Sequence, residues 1–182
     1  MSGIQVTIGL GSNLDEPVKQ IQTALASIAV LEGCELVAQS PLYKSAAMLI
    51  EGTLEGVPEG VLQDKSQNQP DYINAVALLE TSLGVRALLT QLHAIENQQG
   101  RVRKERWGAR TLDLDILTFG EQQITEPDLQ IPHVGIAERN FVLVPLQAMM
   151  GDAFVIPGVG ELIDLLKQCP ADGLEKLEQD SE

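Results

Sequence analysis

Apolar and polar side chains alternate over residues 4–10, and this pattern predicts a β-strand. The Gly-Ser-Asn sequence at residues 11–13 ends the alternation, and Pro17 lies where a helix would begin. Apolar residues then recur at three- and four-residue steps until Gly33, which favours an amphipathic helix that covers a sheet. The sequence from Gly9 to Gly11 lacks the full dinucleotide-binding fingerprint and the Lys-Ser/Thr of a P-loop. We therefore interpret it as a turn and helix start rather than a nucleotide loop.

The same patterns predict three further strands and three further helices. A second amphipathic helix has its apolar stripe from Val85 to Ile95 and ends at Gly100. The other predicted strands cover residues 34–43, 72–83 and 111–119, the shorter helices lie near residues 141–149 and 162–168, and a Pro/Gly turn covers residues 157–160. The first six elements run strand, helix, strand, strand, helix, strand. This order predicts an α+β fold of the ferredoxin-like, split βαβ type, with a mostly antiparallel sheet and helices packed on it.

Two stretches show no regular period. Residues 45–70 are rich in Gly, Glu, Gln and Asp, and we expect a long loop there. The last residues, from about Leu174, read LEKLEQDSE and are expected to form a frayed acidic tail. A chain of 182 residues is most simply one domain, so residues 1–182 are expected to form a single unit.

The charge balance narrows the classes of partner. Twelve Lys and Arg residues against 26 Asp and Glu residues give a net charge of -14, which disfavours nucleic acids and anionic membranes as partners. Cys34 and Cys169 have neither CxxC spacing nor a disulfide pattern, and the N-terminus has no signal-peptide character. We therefore expect a soluble cytoplasmic protein.

The sequence GRVRKERWGARTLDLDIL, residues 100–117, carries the clearest chemical signal. It holds five of the twelve Lys and Arg residues, followed by Asp113 and Asp115. On a strand these two carboxylates share one face about 7 Å apart, a pair that suits Mg²⁺ with water and phosphate oxygens as further ligands. Arginines bind phosphate bidentately, so the two halves together favour a phosphate-transfer site. The alternatives are a solvated strand face beside a solvated loop, or a single-stranded nucleic-acid site in which Trp107 stacks on bases.

Five other polar or aromatic residues each have two interpretations. Glu96 continues the stripe of the second helix and could hold a nucleotide or form a helix-end salt bridge, and His133 could contact phosphate or lie unused in a loop. Tyr72 and Phe141 could pack in the core or stack on a flat ring. Asn74 shares a strand face with Tyr72, so it could bond a heterocycle edge or the backbone.

Several blocks of sequence, taken together, resemble 6-hydroxymethyl-7,8-dihydropterin pyrophosphokinases of the folate pathway. The blocks are IGLGSNL at 8–14, QPDYINAV at 69–76, Glu96 with the motif at 100–117, IPH at 131–133 and ERNFVLVPL at 138–146. The resemblance implies a ferredoxin-like fold. It also implies transfer of pyrophosphate from ATP to the hydroxymethyl group of the pterin, with release of AMP.

The resemblance also implies roles for individual residues. Asp113 and Asp115 would hold two Mg²⁺ ions that bridge the ATP phosphates, and Arg101 and Arg110 would reach those phosphates from a mobile catalytic loop. The implied nucleotide-binding residues are Glu96, Arg103, Ile116, His133 and Arg139, and the implied pterin-binding residues are Tyr72, Asn74 and Phe141. The expected partners are therefore ATP and the pterin, with other folate-pathway enzymes left open and a monomer expected.

The chain departs from the family pattern at three places. Ser-Ala-Ala-Met at residues 45–48 replaces a Pro-Pro-containing loop, and an insertion follows around residues 49–68. Ala109 stands where a proline is usual, which leaves the arginine loop less constrained. Asp128 and Gln130 replace residues that bind ATP in some relatives. A catalytically inactive relative that keeps the fold therefore remains an alternative.

Overall fold

The computed structural model describes residues 3–46, 70–100, 111–169 and 171–178. The strands are β1 Ile4–Ser12, β2 Cys34–Gln39, β3 Tyr43–Ser45, β4 Tyr72–Thr81, β5 Asp113–Phe119, β6 Ile124–Glu126, β7 Leu129–Ile131, β8 Val155–Ile156, β9 Gly160–Glu161 and β10 Leu174–Lys176. The helices are α1 Pro17–Ala29, α2 Val85–Gln98, α3 Asn140–Met150 and α4 Leu162–Gln168, with a 3-10 turn at Ile136–Glu138. The expectation of a mixed fold with a mostly antiparallel sheet is confirmed.

The main sheet has the strand order β10-β3-β4-β1-β5, and β2 also pairs with β4. Every pairing in this sheet is antiparallel. β1 lies between β4 on one side and the edge strand β5 on the other. β1, which carries most of the IGLGSNL sequence, is therefore hydrogen-bonded to a neighbouring strand on both edges.

One face of the sheet packs against α1 and α2. Alternate residues of β1, Val6, Ile8 and Leu10, are buried in this first core together with side chains from both helices. Those helical side chains are Ile21, Ala24, Leu25 and Ile28 of α1 and Leu88, Leu92 and Ile95 of α2. The three- and four-residue apolar spacing of the sequence thus places each helix on the sheet, as predicted.

The opposite face of the sheet carries a second, smaller core. Leu143 and Leu146 of α3 pack there with Val76 of β4, Leu117 of β5 and Leu162 of α4. This face is covered by α3 over part of its area, whereas α1 and α2 occupy the other face. The molecule therefore has a layer of helices on each side of one sheet.

Three sequence-based expectations were wrong. Gly9 and Gly11 do not form a turn, because β1 continues to Ser12 and both glycines pair with residues on β4 and β5. The strand predicted over residues 34–43 is two strands, since the chain leaves the ladder at Ser40, whose hydroxyl accepts the Val76 N–H at 2.9 Å. The acidic tail does not fray from Leu174, because β10 pairs with β3.

Two further expectations concern the long loop and the extent of the domain. The long loop expected over residues 45–70, including the insertion at residues 49–68, falls almost wholly on residues 47–69, which the structure does not describe. The single-domain boundary of 1–182 stays a prediction. Within the described ranges, no helix has both the length and the apolar character needed to cross a membrane.

Candidate functional site

A row of residues crosses the central strands on the face that carries α3. Gly11 of β1 pairs with Asn74 of β4 on one side and with Asp113 of β5 on the other. Two residues earlier along β1, Gly9 pairs with Asp115. Since paired residues of an antiparallel ladder point to the same side, Asn74 and the two aspartates share one face of the sheet.

At Gly11 the floor of this face is bare between its polar groups, whereas Gly9 packs against Leu117, whose Cδ2 would lie 3.3 Å from an added Cβ. A Cβ atom placed on Gly11 would lie 3.6 Å from Asn74 Oδ1 and 4.0 Å from Tyr72 Cδ1. The side chains of Tyr72 and Asn74 therefore stand directly beside the Gly11 backbone. The result is a shallow groove, with an amide and an aromatic ring along one side and two carboxylates along the other.

A hydroxyl group of β3 orients the Asn74 amide. Asn74 is 4% exposed, and its Nδ2 donates a hydrogen bond to Ser45 Oγ at 2.9 Å. With Nδ2 engaged in this way, the Oδ1 atom is the one that borders Gly11. The groove therefore meets a hydrogen-bond acceptor at this position.

His133 lies beside the carboxylates. Its Nε2 is 3.8 Å from Asp115 Oδ2, and its Nδ1 accepts the Gly135 N–H at 3.2 Å. Burial lowers the pKa of the His133 imidazole and Arg139 lowers it further, while Asp113 opposes the shift. The ring is therefore neutral at pH 7, and its proton sits on Nε2, the atom that faces Asp115.

Arg139 and Phe141 form the side of the site contributed by the start of α3. The guanidinium carbon of Arg139 lies 5.9 Å from the centroid of the Phe141 ring, a cation–π distance. Arg139 also packs closely over Gly135, where an added Cβ would come within 2.6 Å of the arginine Nε. The absence of a side chain at Gly135 is thus required for this placement of the arginine.

Glu96 supports the carboxylate pair from behind. It is 1% exposed, and its Oε1 accepts the backbone N–H of Leu114 at 2.8 Å. Leu114 lies between Asp113 and Asp115, so this bond fixes the strand segment that carries both carboxylates. Ile116 is 4% exposed and packs in the first core, which leaves little of its side chain for a ligand.

The structure therefore brings together most of the residues that the sequence singled out. The described residues on the α3 side of the sheet are Tyr72, Asn74, Asp113, Asp115, His133, Arg139 and Phe141, whereas Glu96 and Ile116 lie on the side of the first core. Arg101, Arg103 and Arg110, with Ala109, lie outside the described residues.

Two features of the site were missed from the sequence. The Ser45–Asn74 bond joins residues 29 positions apart, and only the strand register reveals it. Asp128 is paired with Arg86 of α2, whose Nη1 lies 3.0 Å from Asp128 Oδ2, and Arg86 also contacts Glu126. Because of Arg86, the pKa of the Asp128 carboxyl is below its usual value. Asp128 thus joins α2 to the β6–β7 hairpin.

The donor set limits which metal ion the site can hold. Among the residues that the structure describes, no group of three or more His, Cys, Asp and Glu side chains is arranged around a possible ion. A protein-only cage of the zinc or calcium type is therefore absent from this part of the chain. Two carboxylates on one strand face are instead the protein contribution that Mg²⁺ takes when substrate phosphates and water complete its shell.

Comparison with known proteins gives a consistent result. Residues 7–151 match the family model of 7,8-dihydro-6-hydroxymethylpterin-pyrophosphokinase, abbreviated HPPK. A relative from Haemophilus influenzae is 45% identical over 165 residues, covering 91% of this chain and 92% of that protein. A relative from Pseudomonas aeruginosa is 45% identical over 173 residues, covering 95% and 96%. Both are called 2-amino-4-hydroxy-6-hydroxymethyldihydropteridine pyrophosphokinase.

Solved structures give the same fold. An HPPK–DHPS protein crystallised with substrates matches with a TM-score of 0.71 at 11% identity, over 98% of this chain and 47% of that chain. A Plasmodium falciparum HPPK–DHPS with pteroate matches with a TM-score of 0.65 at 15% identity, over 96% and 46%. The chain thus spans slightly less than half of each of these two proteins, and at such low identity the likeness shows the fold alone.

Proposed function

Because the chain belongs to the 7,8-dihydro-6-hydroxymethylpterin-pyrophosphokinase family and is a diphosphotransferase of folate biosynthesis, we propose that ATP is its donor and that AMP is released. The acceptor is the hydroxymethyl group of 6-hydroxymethyl-7,8-dihydropterin. The observation that carries this proposal is the row Asn74, Gly11, Asp113 across three strands. It sets a heterocycle-binding amide and a metal-binding carboxylate on opposite sides of one bare groove.

Asp113 and Asp115 hold two Mg²⁺ ions in this proposal. A divalent ion held there would supply positive charge that offsets the negative charge developing on the phosphates during transfer. The chain's own contribution is positional. The Glu96 bond to the Leu114 N–H, at 2.8 Å, keeps the backbone between the two aspartates in place. The two carboxylates therefore keep a fixed spacing on the strand.

The nucleotide lies on the Asp113 side of the groove, with Glu96, His133 and Arg139 as binding residues. Neutral His133 would donate from Nε2 to a phosphate oxygen without adding charge beside the carboxylates. Arg139 would supply a bidentate positive partner for phosphate. Arg101, Arg103 and Arg110 complete this set as sequence-based expectations, as does contact of Ile116 with the adenine.

The pterin lies on the other side of Gly11, between Tyr72 and Phe141. A flat ring stacked between two aromatic rings buries apolar area on both of its faces. Asn74 Oδ1 would accept a hydrogen bond from an N–H of the heterocycle, because Nδ2 is already bonded to Ser45 Oγ at 2.9 Å. In this proposed pose of the pterin, the hydroxymethyl group points towards Asp113 and Asp115.

The reaction in this site is a direct displacement at phosphorus. The hydroxymethyl oxygen forms a bond to the β-phosphorus and loses its proton to solvent, while the bond between the β-phosphorus and the α,β-bridging oxygen breaks and AMP departs. Catalysis of this kind rests on alignment and charge stabilisation, and it needs no covalent enzyme intermediate.

The finer fold and setting are also part of the proposal. The strand order β5-β1-β4-β2, with α1 and α2 on one face, supports the ferredoxin-like arrangement. We further propose a single domain that acts as a cytoplasmic monomer. The HPPK–DHPS names of the matching structures keep another folate-pathway enzyme open as a partner.

The test is a coupled measurement of AMP from ATP, Mg²⁺ and 6-hydroxymethyl-7,8-dihydropterin. The wild type should release one AMP for each pterin diphosphate, and Asp113→Asn and Asp115→Asn should each lose at least about 100-fold in kcat. Asp164→Asn, an exposed aspartate on α4 that pairs with Lys167, is the matched control and should retain wild-type activity. ADP as product would count against pyrophosphate transfer, and no turnover would count against the proposal and favour an inactive relative. Full activity of both aspartate variants would remove the metal assignment.

A further inference from the structure

The C-terminal end of the described chain is attached to both sides of the proposed pterin site. We call residues 171–177 the C-terminal strap. β10 of the strap pairs with β3, so that Leu174 lies opposite Ser45 and Lys176 opposite Tyr43. The Leu177 N–H continues the attachment by donating to Leu42 O at 2.9 Å. The strap therefore holds the strand whose Ser45 hydroxyl orients Asn74.

The other end of the strap is attached to the start of α3. Asn140 Nδ2 donates a hydrogen bond to the Asp172 carbonyl oxygen at 3.1 Å. Asn140 is the first residue of α3 and directly precedes Phe141. One seven-residue segment thus contacts the strand behind Asn74 and the helical turn that carries Phe141.

The first turn of α3 lacks two of the usual helical supports. Pro145 lies inside the helix and has no N–H to donate to the carbonyl of residue 141, four positions earlier. The N-cap residue Arg139 makes no side-chain capping bond. The body of α3 is held by Val142, Leu143 and Leu146 in the second core. The Val142 and Leu143 N–H groups both donate to the Arg139 carbonyl at 2.9 Å, and the Asn140 bond to the strap adds a further attachment next to Phe141.

We propose that the C-terminal strap is a positioning element of the acceptor site, which sets the separation between Phe141 and the Tyr72–Asn74 side of the groove. This inference rests on the proposed function, because it assigns those residues to the pterin. The strap touches neither substrate. It acts through Ser45 and Asn140, and none of its described contacts involves Asp113, Asp115 or His133.

Two substitutions test the strap without removing it. Asn140→Asp keeps the side-chain size and loses the donor to Asp172, while a carboxylate in the first turn of a helix is favourable for the helix itself. Gly173→Val strains the turn that leads into β10, because Gly173 has φ +77, which β-branched residues rarely adopt. Among the described residues beyond its chain neighbours, nothing lies within 4 Å of an added Cβ, so the strain is confined to the backbone. Gly151→Val is the matched control, with φ +82 and equally open space at the other end of α3.

The measurements are KM for the pterin, KM for ATP and amide hydrogen exchange in the full chain. Asn140→Asp and Gly173→Val should raise the pterin KM about 2- to 10-fold, the range that loss of one ordinary hydrogen bond allows. KM for ATP should stay unchanged, and exchange should accelerate in β3 and in the first turn of α3. Gly151→Val should leave the pterin KM at the wild-type value.

Three results would overturn the strap's role. The first is a pterin KM that is unchanged in both variants, and the second is an equal rise in KM for the pterin and KM for ATP. The third is faster hydrogen exchange without any change in the pterin KM, a result that would give the strap a purely structural role. Turnover by the wild type decides the proposed function separately, since it does not depend on any variant. A wild type that forms AMP beside variants with unaltered pterin KM would therefore refute the strap alone.

Discussion

Removal of the Glu96 side chain should weaken both the fold and the site. Glu96→Ala leaves the buried Leu114 N–H without the acceptor that now lies at 2.8 Å. An unsatisfied buried N–H costs about 1–3 kcal/mol. Loss of a buried methylene adds about 0.8 kcal/mol. The two costs together predict a loss of about 2–4 kcal/mol in the free energy of unfolding.

Urea denaturation followed by circular dichroism measures this loss, and Glu80 provides a matched control. The Glu80 Oε1 also accepts a backbone N–H at 2.8 Å, from Gly3, but that bond is only partly buried. Water can replace the lost acceptor there, so Glu80→Ala should cost less than about 1 kcal/mol. Equal costs for Glu96→Ala and Glu80→Ala would refute the reasoning that burial makes the Glu96 bond important.

Glu96→Gln separates support of the strand from nucleotide binding. The amide oxygen of Gln can still accept the Leu114 N–H, so the free energy of unfolding should stay within about 1 kcal/mol of the wild type. If the negative charge also binds the nucleotide, KM for ATP should rise while the unfolding midpoint holds. An unchanged KM for ATP would leave Glu96 with a structural role only.

Three further predictions follow from single contacts. Gly11→Ala should be neutral or up to about 1 kcal/mol more stable, because the added Cβ meets only ordinary contacts and strands disfavour glycine, yet it should raise the pterin KM by filling the groove. Gly9→Ala should instead destabilise by about 1 kcal/mol in urea titrations, since its Cβ would lie 3.3 Å from Leu117 Cδ2. Arg86→Ala should raise the pKa of Asp128 towards its usual value in an NMR titration. Because the folded-state pKa of Asp128 is depressed, the stability that Arg86 adds should be present near neutral pH and disappear as pH falls through that pKa.

Local periodicity predicted the parts of the site that lie on one element. The alternation of Leu112, Asp113, Leu114 and Asp115 placed the two aspartates on one face, because burial of the leucines fixes which way every second side chain points. The helix that carries Glu96 followed from its apolar stripe in the same way. Both inferences need only the residues within one strand or helix, and both are consistent with the structure.

Contacts between distant segments could not be read from the sequence. The alignment of Asn74, Gly11 and Asp113 across three neighbouring strands depends on the strand register, which is set by packing across the whole sheet. The terminal acidic sequence LEKLEQDSE predicts a frayed tail, and nothing in it indicates that its first three residues form β10. It is a strand because β3 offers it an edge to pair with. Arg86 and Asp128 are 42 residues apart, and nothing in their local sequence joins them.

Gly11 of β1 shows where this sheet gives up stability for a binding surface, whereas Gly9 makes room for the Leu117 side chain. A glycine within a strand costs about 0.5–1 kcal/mol relative to alanine, and β1 has two of them on the same face, at Gly9 and Gly11. The opposite face of the same segment carries Ile8 and Leu10, which are almost fully buried. The strand can accept this cost because it is central, with a ladder to β4 on one edge and to β5 on the other. At Gly11 the floor of the groove is therefore bare of side chains but held by a strand that is paired on both edges, so a substrate resting on it meets a surface that is already in position.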